Sequence, residues 1–140
     1  MSGKQRLFRR FLESGSGAAA VEFAIVCMPL LLICLGIVEF GRAFFVRNDL
    51  SYAADVAARK VLIGQIPAGA PSSDAASGLE TAVREAFVGD ASLLQIAVGE
   101  ETVDGARYRT LSIRYPFTFL VPGLDDSPFA LGVSRRIPAG

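Results

Sequence analysis

Histidine and tryptophan are absent from this 140-residue chain, and cysteine occurs twice. Without histidine, the usual zinc ligands and most nucleophile-plus-base pairs are missing. Cys27 and Cys34 both lie in an apolar run. Seven residues apart on one helix, they are separated by about 10.5 Å along its axis, beyond the ~7 Å Cα limit for an intrachain disulfide. They read as small apolar packing residues, with bridging between chains as the alternative. Basic charge has no surplus either. The net charge is zero, and the chain beyond its first 17 residues is mildly acidic, so there is no electrostatic footprint for nucleic acid. Glu100-Glu101 and Asp125-Asp126 are acidic pairs whose adjacent members point different ways. They read as solvated loops, and Arg135-Arg136 as a solvated strand end. No catalytic residue, metal site or cofactor site stands out, and the expectation is a protein that is not an enzyme.

Charge is scarcest from Ala18 to Val38, where Glu22 is the single charged residue. Those 21 residues make a helix of about 31 Å, which matches a hydrocarbon core of about 30 Å. Lys4, Arg6, Arg9 and Arg10 precede it, whereas Glu39 and Arg42 follow with mixed sign. This asymmetry places residues 1–17 in the cytoplasm as a basic leader and sends the remainder across the membrane. Leu7, Phe8, Phe11 and Leu12 allow the leader to lie on the membrane as an amphipathic helix. The equal alternative is a simple positive retention signal. A cleaved secretory signal is disfavoured, because no Ala-x-Ala site follows the apolar run. Glu22 is costly inside a spanning segment and so implies a partner, unless it lies close enough to the interface to be wetted.

Ser14-Gly15-Ser16-Gly17 ends the leader, and Glu22 and Phe23 stand five and six residues past Gly17. This register resembles the processing site of type IV prepilins. Three further strings resemble the TadE-like minor pilins, or pseudopilins, of tight-adherence (Flp, type IVb) pilus systems: Ala18-Ala19-Ala20 before Val21-Glu22-Phe23, Pro29 before Leu30-Leu31-Leu32, and Val38-Glu39-Phe40-Gly41-Arg42. The strong resemblance covers about residues 14–60. It implies cleavage between Gly17 and Ala18 by a membrane prepilin peptidase, and pairing of Glu22 with other pilin-like subunits. It also implies a secretion ATPase with platform proteins as partners, and a role in surface attachment and biofilm formation.

Beyond the membrane the helix should continue. Residues 39–64 form an amphipathic extension, with Val46, Leu50, Ala53, Ala57 and Val61 on one stripe. Asp55 and Arg59 are spaced as an i,i+4 pair. Gly64 suits a C-cap, and Pro67 prevents resumption. Phe40, Phe44 and Phe45 suit either an interfacial aromatic belt or helix packing, and packing is the favoured reading.

Gly64 to Ser73 reads as a loop, and Ser77-Gly78-Leu79-Glu80 as the capping box of a second short helix. Leu79, Ala82, Val83, Ala86 and Phe87 give that helix its apolar face, and Glu80–Arg84 supports it. Three period-two stretches follow: Leu94, Ile96 and Val98; Leu111, Ile113, Tyr115, Phe117 and Phe119; and Phe129, Leu131 and Val133. Asp104-Gly105 turns between the first two, and Pro116 implies an edge or a bulge. Pro122 to Pro128 reads as a loop.

The expected fold is α+β, membrane-anchored and pilin-like. A long transmembrane helix (18–38) runs into the amphipathic helix, and residues 65–140 form a small periplasmic domain of one helix and a three-stranded antiparallel sheet. Phe87, Leu111, Ile113 and Phe117 should be buried. The leading function is a minor pilin taking part in pilus assembly. The alternative is an unprocessed, signal-anchored periplasmic binding or sensor module. A single-pass membrane enzyme is disfavoured by the missing motifs.

Overall fold

Forty-eight residues, Gly15–Leu62, form α1, a single element with Pro29 inside it. The computed structural model describes residues 15–120 and 129–139. The basic leader before Gly15 and the loop expected over 122–128 lie outside the described residues. Next come α2 (Ser72–Ala86), a 3₁₀ turn (Ala91–Leu93), β1 (Gln95–Val103), β2 (Ala106–Phe117) and β3 (Phe129–Pro138). The chain divides into two compact units, Met1–Glu39 and Phe40–Gly140.

In the first unit, most apolar side chains of α1 find little cover among the described residues. Val21, Phe23, Ile25, Val26, Met28, Leu30 to Ile33, Leu35, Ile37 and Val38 are all exposed. Water would penalise such a surface heavily, and lipid would not. Among the described residues, α1 is the one helix long and apolar enough to cross a membrane. It is a candidate membrane anchor and fits a single-pass membrane protein.

In the second unit, the later part of α1 changes character. Leu50, Ala53, Ala54, Ala57 and Val61 are buried, and Val46 is half-buried. The expected stripe therefore packs into a core, and four small or branched residues let another element approach closely. The helix stops at Gly64, whose φ of +76° suits a residue without Cβ. Gln65 and Ile66 then donate backbone N–H groups back to the Lys60 carbonyl, which satisfies the helix end.

The expected capping box does not start α2. The helix begins five residues earlier, at Ser72, and Ser77 lies within it with its hydroxyl donating to the Asp74 carbonyl. Asp74 and Ala75 donate to the Pro71 carbonyl, and Asp74 supplies an acidic group to the first turn. These local bonds extend the helix into the stretch expected as loop. Ala75, Leu79, Ala82 and Val83 are buried, and a Cβ on Gly78 would stand 3.4 Å from Ile66, so a small residue suits that contact. Glu80 and Arg84 pair at 2.9 Å, as their spacing predicts.

The sheet is an antiparallel meander in the order β1-β2-β3. Asp104 and Gly105, with φ of +51° and +79°, make the β1–β2 turn. Ile96 and Val98 of β1 pair with Ile113 and Leu111 of β2, which in turn pair with Val133 and Arg135 of β3. This face meets the helices: Leu111, Ile113 and Phe117 are buried on it, and Phe87, at the end of α2, is buried with its ring 5.3 Å from that of Tyr115. Pro116 pairs with Ala130, two residues beyond Arg114, the last β2 residue with a β1 partner. The central strand has become an edge on that side, which is where proline is tolerated. The strand itself ends at Phe117, short of Phe119.

Candidate functional site

The features that carry chemistry lie along α1. Gly17 and Ala18 are the third and fourth residues of the helix. Small residues over 14–20 suggest an extendable segment, yet from Gly15 onward the segment is helical. Any cleavage between Gly17 and Ala18 would require this first turn to unwind, and its glycines hold it weakly. Ala18, Glu22 and Phe23 are exposed, Phe23 at 71 %. Ala18 and Glu22 are one turn apart, about 6 Å along the axis.

In the second motif, Glu39 is buried, Phe40 and Gly41 are exposed, and Arg42 is half-buried. Arg42 places its guanidinium 5.2 Å from the centre of the Phe117 ring and directs Nη1 to the Thr118 carbonyl at 3.5 Å. Phe117 stacks edge-on with Phe119 and Phe129 at 5.4 and 6.4 Å. The last residue of the motif thus meets the end of β2 through a cation–π contact on an aromatic cluster. Spacing alone did not reveal this role.

Among the described residues, the aromatic trio on α1 finds little cover. Phe40 and Phe45 are each 68 % exposed and Phe44 is 49 % exposed, although the Phe40 and Phe44 rings touch at 5.2 Å. The reading that remains is contact with lipid or another chain. Gly41 is open in the same sense, since a Cβ there would meet nothing within 4 Å.

The charged pairs are more engaged than their solvated reading implied. Glu100 and Glu101 lie on β1, not in a loop. Glu100 accepts from the Ser72 hydroxyl at 2.7 Å and lies 3.5 Å from Arg109, while Glu101 pairs with Arg136 at 3.0 Å. Arg136 also lies over the Tyr108 ring at 5.7 Å, and Arg135 chelates Asp55 rather than leaving it to Arg59. Cross-strand and helix–sheet proximity outweighs the local spacing in each case. Asp125 and Asp126 lie outside the described residues. Arg109 is a residue that sequence reasoning missed: it is buried at 5 % exposure. Its place on the period-two face with Leu111 and Ile113 is the signal that predicts this.

Cys27 is half-buried and Cys34 exposed, both as free thiols. Among the described residues, no group of three or more histidine, cysteine, aspartate or glutamate side chains is arranged to hold a metal ion.

No curated protein and no solved structure matches the chain. A family model described as TadE-like protein matches residues 17–59. That span covers the small-residue start, Glu22-Phe23, the exposed apolar run, the Glu39–Arg42 motif and most of the packed stripe, so this segment of α1 is similar to that family.

Proposed function

We propose that this chain is a minor pilin or pseudopilin that takes part in assembling a tight-adherence (Flp) pilus used for surface attachment. One observation carries the reading: Gly17, Glu22 and Phe23 stand in prepilin register at the head of an exposed apolar helix, within the TadE-like span. In this account residues 1–17 are a cytoplasmic leader, and a prepilin peptidase removes them. The helix anchors the subunit in the inner membrane, and the domain beyond residue 64 lies in the periplasm. Other pilin-like subunits, platform proteins and a secretion ATPase are its partners. Its work is structural, without catalysis.

A fibre subunit needs little beyond the helix, so the sheet domain supports a minor component. Gly41 supports packing between chains. An alanine would strengthen the helix by about 1 kcal/mol and would meet no obstacle inside the chain. Replacing Gly17 with a bulky residue, in cells expressing the peptidase, tests the assignment. The expected result is accumulation of full-length precursor. Equal processing of wild type and variant would favour the unprocessed periplasmic module.

A further inference from the structure

Arg109 is buried without being matched. Its Nη2 donates to the Ala70 carbonyl at 2.8 Å. Nε stands 3.5 Å from Glu100 Oε1, an ion pair lacking hydrogen-bond geometry, and both Nε and Nη1 are buried with no hydrogen-bond partner. A guanidinium carries five donors in a rigid fork, and leaving them unsatisfied away from water is costly. The complement such a fork favours is a carboxylate engaged through both oxygens.

The surroundings supply the rest of such a site. Arg109 lines a recess of about 260 Å³, together with Ala70, Pro71, Ser72, Glu100 and Tyr108. One wall is the start of α2, a 15-residue helix whose N-cap, Pro71, provides no side-chain hydrogen bond. The first-turn N–H groups of such an end favour an anion. Glu100 is an imperfect occupant. It is 56 % exposed and uses a single oxygen, Oε1, toward both Ser72 and Arg109. It shows that a carboxylate fits the donors, while leaving Nη1 unmatched.

We propose that this recess binds a carboxylate from outside the fold. The incoming group displaces Glu100 and takes the Ser72 hydroxyl and the Arg109 guanidinium as its donors, beside the start of α2. Glu100 and Glu101 line the recess beside Arg107 and Arg109, so its fixed charges balance, and a singly charged carboxylate leaves less excess charge there than a doubly charged oxyanion does. The inference stands independently of the pilin assignment.

The test uses the full chain in detergent micelles, with the Arg109 side-chain N–H signal followed by NMR during titration with sodium acetate and, separately, sodium sulfate. Acetate should shift the Arg109 signal saturably. Glu100→Gln, which removes the competing charge, should bind acetate about tenfold more tightly. Ser72→Ala, at an exposed position, should weaken acetate binding several-fold without disturbing the core. A short peptide with one central glutamate separates the sources: binding well above that of acetate marks a polypeptide carboxylate, and equal binding marks a free one. The proposal is overturned if acetate gives no saturable shift in Glu100→Gln, if sulfate binds as tightly as acetate, or if Ser72→Ala titrates like wild type.

Discussion

Asp55 on α1 accepts two hydrogen bonds from Arg135 on β3, from Nε at 2.7 Å and from Nη2 at 3.2 Å. The two residues are 80 positions apart, so the pair ties the first helix to the last strand across the whole domain. The bonds to Asp55 raise the pKa of the Arg135 guanidinium. Exposures of 44 % and 58 % weaken the pair by solvent screening. Its two-pronged geometry keeps it at the upper end of the surface range. A double-mutant cycle with Asp55→Asn and Arg135→Gln, read by chemical unfolding in micelles, should give a coupling of about 0.5–1 kcal/mol. A coupling indistinguishable from zero would remove the pair as a restraint.

Phe117 joins the core to the motif on α1. It is 6 % exposed, touches Phe119 and Phe129, and lies beneath Arg42. Truncation to alanine should cost about 3–5 kcal/mol, most of what a domain this small possesses. Limited proteolysis of Phe117→Ala should therefore cut the domain beyond residue 64 rapidly. Wild-type resistance would contradict the packing of this face.

Hydrogen bonds hold two surface carboxylates in their charged form. The Ser92 hydroxyl and backbone N–H hold Asp90 below the ordinary carboxylate range. The Ser72 hydroxyl does the same for Glu100, aided by Arg109 and Arg107. A lowered folded-state pKa gives stability that is present above the unfolded value and lost as pH falls through the folded one. Unfolding midpoints should therefore drop as pH falls from the ordinary carboxylate values near 4, and Glu100→Gln should flatten part of that decline. An acid limb as steep in the variant as in wild type would show that Glu100 contributes nothing to it.

Much of this fold is legible in patterning, and the exceptions share a cause. The stripe from Val46 to Val61 and the buried Leu111 and Ile113 follow from single-element periodicity, which hydrophobic burial enforces directly. The start of α2 was not legible, because Ser77 is a good cap by type and yet lies inside a helix that Asp74 and Pro71 begin earlier. Nor was Asp55–Arg135: an i,i+4 partner at Arg59 is visible in sequence, whereas a partner on β3 is visible only once the sheet is assembled. Exposed Phe40 and Phe45 show the same limit, since patterning marks a residue as apolar without saying which molecule covers it.

Glu22 carries the assembly claim. Cleavage before Ala18 would create an α-amino group one turn from Glu22, and a neighbouring subunit's amine is the alternative partner for that carboxylate. Pairing offsets the cost of each charge in a low dielectric. Glu22→Ala should insert into membranes as wild type does, yet crosslink far less to other pilin-like subunits. Glu22→Asp should recover only part of the loss. Undiminished crosslinking in Glu22→Ala would reduce Glu22 to an interfacial charge.

The most direct test is the intact mass and N-terminal sequence of the protein purified from membranes of cells that carry a prepilin peptidase. A chain beginning at Ala18, having lost residues 1–17, is the predicted result. A chain that retains the basic leader, or begins at another residue, would contradict the assignment.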